Sequence, residues 1–250
     1  MTTWLYDGTF DGFLSCVFDM YWQRKMDIRI RKEQEHIRGA YEDVIFMPTI
    51  IANAERVWAG LNKKVSPDHL QQFFSCYLSE LPAEEDNMVG YIRYVLGNKL
   101  SDESNLHSNH IAQLSKKVYR EKHRMESLVS FQLTKDNIYY DIISPDYNVL
   151  PLIAGHFKEH YTDQYWLIYD KRRRFGIYYN LQQVETVRLQ FNENQEARYH
   201  HSGNIWAPEE VFYQQIWEAC YKDLPIGNQR LQMQHMPRRY WKYLAEKSIK

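Results

Sequence analysis

Leu150–Tyr179, LPLIAGHFKEHYTDQYWLIYDKRRRFGIYY, compresses a helix signal, an apolar strand, a four-cation turn and a second strand into thirty residues. Pro151 fits the first turn of a helix, where a missing N–H costs nothing, and the helix runs to about His160. Tyr165–Asp170 then puts Trp166 and Ile168 on one face and Leu167 and Tyr169 on the other. Both faces are apolar, so this strand is expected at the centre of a sheet. Lys171–Arg174 makes the turn into Phe175–Tyr179, and Val184–Leu189 adds a third antiparallel strand.

Working upstream, Ser130–Thr134 and Ile138–Ile143 read as a hairpin, because Lys135-Asp136-Asn137 supplies turn residues between them. Ser144-Pro145-Asp146 stops it. Before the hairpin lies a basic helix, roughly Ile111–Met125, with Lys116, Lys117, Arg120, Lys122 and Arg124 against the single acid Glu121. Gly97–Asn109 is polar and rich in turn residues, which makes it the candidate linker. The fold class predicted is α+β. A mostly helical region 1–106 precedes an α+β region 107–250, whose small antiparallel sheet is flanked by helices, as two domains or closed into one unit.

In the first region Thr3–Tyr6 looks like a strand, and Asp7-Gly8 is a turn dipeptide ahead of a buried helix carrying Phe13, Leu14, Val17, Phe18 and Tyr21. Met26–His36 is dominated by charge. Val44–Ile51, broken by Pro48, suggests an edge strand or an extended connection. Asn53 is a candidate helix cap, and Ser66 with Pro67 opens a further helix. Met88, Tyr91, Ile92, Val95 and Leu96 mark another. At the other end, Pro208 opens a helix that leads to the basic segment MPRRYWKYLAEK.

Composition narrows the class. Hydrophobic residues make up 44% and charged residues 25% of 250 residues, which disfavours disordered, collagenous and membrane classes. A net charge of -1 gives no global basic field, so any nucleic-acid contact must come from local patches. Aromatics reach 15%, with twenty Tyr and seven Trp, which suits core edges, interfaces and base-stacking surfaces. Three distant cysteines, Cys16, Cys76 and Cys220, argue for a reducing compartment over a disulfide framework. The stretch MTTWLYDGTFDG is not a secretory signal, and no apolar run approaches the roughly 20 residues needed to span a bilayer, so a cytoplasmic location is expected.

Several motifs offer chemistry, each beside a plainer reading. His156-Phe-Lys-Glu-His160 has the H-x-x-E-H form of a zinc-peptidase helix, but a third ligand is not identifiable, so no metal is expected. Glu121, His123 and Arg124 share one helical turn, either as a salt-bridged solvated face or as a site edge with Arg124 on a phosphate and His123 moving protons. Lys171, Arg172, Arg173 and Arg174, flanked by tyrosines, make either a solvated turn or a surface that tracks a nucleic-acid strand. Asp170 closes an apolar strand, where a carboxylate needs a partner, and Arg173 or Arg174 is the nearest. Arg238, Arg239, Tyr240 and Trp241 combine basic and aromatic character in the tail. A three-cysteine cluster motif, a P-loop and a Gly-rich dinucleotide fingerprint are all missing, which speaks against radical-SAM, nucleotide-driven and hydride chemistry and leaves no cofactor expected.

The residues Tyr6-Asp7-Gly8-Thr9-Phe10 with Gly12, Glu121, His123-Arg124-Met125 and Phe131 form one set. Leu150-Pro151-Leu152-Ile153, His156-Phe157, Trp166-Leu167-Ile168-Tyr169-Asp170 and Arg173 form a second, and Asn228, Leu231-Gln232, Met236-Pro237 and Arg239-Tyr240-Trp241 a third. In these the chain resembles a bacterial family of DNA-metabolism proteins. Genes of that family lie beside, or are fused to, a uracil-DNA-glycosylase-like domain, and they accompany a radical-SAM protein assigned to DNA modification or repair. The family pattern has arginine where this chain has Ser130, His160 and Ile226. The resemblance implies a process and partners rather than a reaction: DNA or another nucleic acid, the radical-SAM protein and the glycosylase-like protein.

Three functional readings follow. The first is a DNA-metabolism or repair factor that binds nucleic acid through Arg124, Arg172, Arg173, Arg174, Arg238, Arg239, Tyr240 and Trp241 and acts with a radical-SAM partner. The second is an enzyme acting on a nucleobase or sugar, with His123, His156 and Asp170 as catalytic groups in one cleft. The third is a structural adaptor that buries a protein partner.

Overall fold

The computed structural model of the chain describes residues 2–37, 39, 42–97, 106–133 and 138–188. They fall into two compact units, Met1–Glu121 with Asp146–Asn148, and Lys122–Pro145 with Val149–Lys250. The Lys135–Asn137 turn, the helix expected from Pro208, and Cys220 lie outside the described residues. The fold is α+β, and no helix among the described residues is long and apolar enough to cross a membrane.

Unit 1 begins β1 (Thr2–Tyr6), α1 (Phe10–Trp22), β2 (Ile28–Lys32) and β3 (Asp43–Phe46), then runs through α2 (Ile51–Asn62), α3 (Pro67–Leu78), α4 (Glu84–Leu96) and the first part of α5 (Leu106–Leu128). Its three strands form a sheet in the order β2-β1-β3, with both pairs parallel. A mostly helical region is therefore also a small parallel sheet. The overlooked strand is β2, whose sequence IRIRK alternates isoleucines with cations; charge in Met26–His36 masked a period of two. β3 is an edge strand, as the Pro48 break suggested.

The residues Asp7 to Gly12 tie β1 to α1. Asp7 Oδ1 accepts the Thr9 N–H at 2.9 Å and the Thr9 hydroxyl at 2.6 Å, while Thr49 donates to Oδ2 at 2.8 Å. Thr9 Oγ1 in turn caps α1 by accepting the Gly12 N–H at 3.0 Å. A Cβ on Gly12 would stand 2.8 Å from Thr49 Oγ1 and closer still to Asp7 Oδ1, so only glycine fits. Tyr77 closes the turn by donating to the Gly8 carbonyl.

Ser66 caps α3 as read, with Pro67 in its first turn. Asn53 does not cap α2. That helix starts at Ile51 with Ile50 in the cap position, where the Ile50 carbonyl accepts the Asn53 and Ala54 N–H groups at 3.0 and 3.2 Å and its own N–H is held by Ser15 Oγ at 3.1 Å. The core of unit 1 is aromatic: Phe10 meets the rings of Trp58, Phe74 and Tyr77 at 5.0 to 5.7 Å, and Tyr91 stacks on Phe73 at 5.5 Å.

Unit 2 contains the end of α5, then β4 (Gln132–Leu133), β5 (Ile138–Ile143), α6 (Leu150–His160), β6 (Tyr165–Asp170), β7 (Phe175–Tyr179) and β8 (Val184–Val187). Its sheet runs β4-β5-β6-β7-β8, so β6 is central as its two apolar faces required. The expected antiparallel sheet is corrected at one pair: β5 and β6 are parallel, with Ile138 opposite Tyr165. The reason is α6, which carries the chain back to the start of the sheet, where a hairpin would have reversed it. On one face Trp166 stacks on Tyr179 at 5.5 Å and meets Phe131 and Phe157 at 6.4 and 6.1 Å. On the other, Leu167 and Tyr169 pack with Val187, Tyr140, Ile142 and Tyr178. Full burial of side chains this size contributes about 1.5–3 kcal/mol each, which makes β6 the rigid base of everything beside it.

Candidate functional site

At the carboxyl end of β6, Asp170 is completely buried and its carboxylate organises the turn into β7. Oδ1 accepts the Arg172 and Arg173 backbone N–H groups at 2.9 and 3.1 Å, and Oδ2 pairs with Arg173 Nη1 at 2.8 Å. The same Arg173 nitrogen also donates to the Pro145 carbonyl at 3.0 Å. Arg174 adopts a left-handed φ of 56°, and its N–H closes the turn onto the Asp170 carbonyl at 2.8 Å. Asp170 and Arg173 are thus framework for the turn. Lys171, Arg172 and Arg174 are exposed, so three cations project within four residues while the acid of the turn is folded beneath them.

A second cluster lies on α5 and α6. Glu126 is the acid at its centre: Lys122 Nζ reaches Oε1 at 2.7 Å, His123 Nδ1 reaches Oε2 at 3.0 Å, and His156 Nδ1 stands 3.9 Å from Oε1. On α5 these residues occupy i, i+1 and i+4, which places Lys122 and His123 where both meet Glu126. The Glu126 side chain is only 10% exposed whereas His123 is 69% exposed, so the carboxylate sits inside and His123 outside. Because Glu126 takes the Nδ1 side of His123, its Nε2 edge faces away from the carboxylate.

His156 and His160 share one face of α6, with ring centroids 4.2 Å apart. His160 Nδ1 donates to the His156 carbonyl at 2.8 Å, which leaves its Nε2 as the acceptor nitrogen of the neutral ring. Partial burial holds the His156 imidazole below its ordinary pKa, with His160 and Lys122 acting in the same sense and Glu126 opposing. The pair that suggested a zinc helix packs ring against ring at a tilt of 33°. Among the described residues no three ligating side chains are placed to hold a metal ion.

Two of the three expected catalytic residues, His123 and His156, are brought together on Glu126, and Asp170 is committed to the β6–β7 turn. Arg124 is exposed on α5. Glu121 is buried and accepts the Asp146 N–H at 3.1 Å, so it belongs to the framework of unit 1. Arg238, Arg239, Tyr240 and Trp241 lie outside the described residues. Glu126 escaped the sequence reading, although its signal was present: it stands four residues after Lys122 and three after His123 on a helix.

No curated protein matches the chain. Residues 82–246 match the family described as a domain of unknown function, DUF4130. That match takes in α4, α5 and the whole described part of unit 2, and the chain belongs to the DUF4130 family.

Proposed function

We propose that the chain is a DNA-metabolism factor that binds nucleic acid through unit 2, using the β6–β7 turn with Arg124 and the Lys122–His123 edge as further contacts. The observation that carries this reading is the turn. Its cations are spaced within four residues, its backbone is pinned by a buried carboxylate, and that carboxylate is turned inward, away from the exposed cations. A pinned turn backbone fixes where the Arg172 and Arg174 side chains start, so less freedom is lost when their guanidinium groups meet phosphate oxygens, which favours such binding. The cellular process, the radical-SAM partner and the glycosylase-like partner come from the family resemblance.

The test is fluorescence anisotropy with labelled single- and double-stranded oligonucleotides, comparing the wild type with Lys171→Ala/Arg172→Ala/Arg174→Ala. Arg173 stays, because it holds the turn. For single strands the salt slope should fall by roughly 0.7 for each phosphate that the variant no longer neutralises. Absence of binding at about 50 mM salt, alone or with the radical-SAM partner, would sink the reading.

A second reading is favoured by one observation, the sharing of Glu126 by His123 and His156. A carboxylate hydrogen-bonded to imidazole Nδ1 orients the ring, as Glu126 does for His123 at 3.0 Å, and such an arrangement serves general acid–base work. In that reading His123 and His156 move protons on a nucleobase or sugar, with Lys122 balancing the carboxylate. Release of free base or sugar from oligonucleotides, abolished by His156→Asn with nucleic-acid affinity retained, would support it; equal rates for wild type and variant would end it.

A further inference from the structure

In unit 1 a cavity of about 560 Å³ opens beside β2, an edge strand of the parallel sheet. α4 presents two different faces. Met88, Tyr91, Ile92 and Val95 are buried in the core, whereas Asp86, Val89, Gly90 and Arg93, at i, i+3, i+4 and i+7, line the cavity. The segment from Met26 to Ile30 supplies another wall, and His107 in the first turn of α5 a further one.

Gly90 has a physical reason to be glycine. A Cβ there would lie 2.5 Å from Cδ2 and from Cε1 of His107 and closer still to Nε2. Near-equal distances to three ring atoms place that Cβ over the face of the imidazole rather than off its edge. His107 therefore lies flat on the backbone of α4, which a helix-interior glycine permits at some cost in helix stability. Neither of its ring nitrogens has a hydrogen-bond partner among the described residues.

The charges around the cavity are unequal. Asp86 is held by Arg31 through two hydrogen bonds, Nη1–Oδ1 at 2.8 Å and Nη2–Oδ2 at 2.5 Å, so its charge is answered. Arg93 is anchored by Nη2 on the Met26 carbonyl at 2.5 Å and against Met20 Sδ at 3.4 Å, which fixes the plane of its guanidinium. Arg29 is exposed and makes no ion pair among the described residues. Arg29, Arg93 and His107 thus share the lining with one remaining acid, Asp27, and with Met26, Ile28 and Val89 as apolar surface.

We propose that this cavity binds a small organic phosphate, with Arg29, Arg93 and His107 on the phosphate and Met26, Ile28 and Val89 against its body. Planar guanidinium donors match a phosphate dianion, and the volume falls within the range of roughly 300–1,000 Å³ typical of small-ligand sites. The inference rests on unit 1 alone and is independent of the nucleic-acid reading, which rests on unit 2.

Isothermal titration of the full chain with adenosine 5′-monophosphate, adenosine and inorganic phosphate tests it. The monophosphate should bind, and adenosine and inorganic phosphate should each be weaker by about tenfold or more, because the first lacks the charge-assisted hydrogen bonds and the second the apolar body. Arg29→Ala and His107→Ala, both outside the core, should each weaken the monophosphate by about tenfold while leaving the circular-dichroism melt in place. No heat with the monophosphate at millimolar concentration, or the same affinity in both variants, overturns the proposal. Inorganic phosphate binding as tightly as the monophosphate overturns the part assigned to the organic body.

Discussion

Replacing Asp170 by Asn removes one charge from a fully buried position while keeping its shape. Asn Oδ1 still accepts the Arg172 and Arg173 N–H groups, but its amide turns donors toward Arg173 Nη1, which the carboxylate held at 2.8 Å. The Arg173 side chain is 10% exposed, so water does not replace the carboxylate, while the Pro145 carbonyl still accepts from Nη1. Removing one member of a buried pair costs about 3–5 kcal/mol; with the turn N–H groups and Pro145 retained, the lower end applies. About 3 kcal/mol makes local opening roughly a hundredfold easier. Hydrogen exchange read by mass spectrometry on peptides covering residues 165–179 measures this directly, and Lys171→Ala is the control that should change nothing. Arg173→Met added to Asp170→Asn should recover most of the stability, because it removes the cation whose buried carboxylate has gone. A change of less than about threefold in Asp170→Asn, under 1 kcal/mol on the same scale, would show that the carboxylate does not hold the turn.

Gly12→Ala should destabilise unit 1 by about 1–3 kcal/mol, because its methyl group meets the Asp7 and Thr49 side chains and the turn must shift; a thermal melt within a degree of wild type would refute this. His156 is held below its ordinary value, so in the window just under pH 6.5 the unfolded chain binds more protons than the folded one. Stability therefore falls as the pH drops through that window, and His156→Asn should flatten the dependence; an NMR titration of the ring protons with a midpoint at or above that of a free histidine would contradict the assignment. A fragment starting at residue 82 should lose exchange protection in α4, since Tyr91 would be stripped of Phe73 and Glu85 of the Tyr6 hydroxyl that donates to it at 3.0 Å. Protection in α4 equal to that of the whole chain would refute that dependence.

Local signals carried much of the fold. Ser66-Pro67, Pro151 and the alternation of Tyr165–Asp170 are each decided within a few residues, and α3, α6 and β6 follow them. Strand direction is a different matter. Whether β5 and β6 run parallel depends on where α6 returns the chain, and nothing inside Ile138–Ile143 encodes it. β2 was hidden for another reason: Arg29 is exposed and Arg31 reaches Asp86 while Ile30 between them is buried, so a charged segment still makes a strand. At the candidate site, the Asp170–Arg173 pair was available from proximity in the chain. The approach of His123 and His156 to one carboxylate, Glu126, is tertiary, and so is the fit of His107 over Gly90, which explains a glycine that helix propensity alone counts as a defect.

The extent of the family match and the extent of the folding unit differ, and the difference bears on function. The match begins at residue 82, whereas unit 1 starts with β1 and continues to Glu121. α4 belongs to both: its core face needs Phe73 and Tyr6 from before the match, and its other face lines the cavity with His107 from within it. A chain sharing only the matched segment would possess Arg93, Gly90 and His107 but would lack Arg29, Met26 and Ile28, the wall contributed by the edge of β2. The turn of Lys171, Arg172 and Arg174, by contrast, is built wholly from matched residues, with Asp170, Arg173 and Pro145 beneath it. Nucleic-acid binding, on this reading, is a property the matched segment can carry by itself, while the small-ligand site requires the strands that precede it.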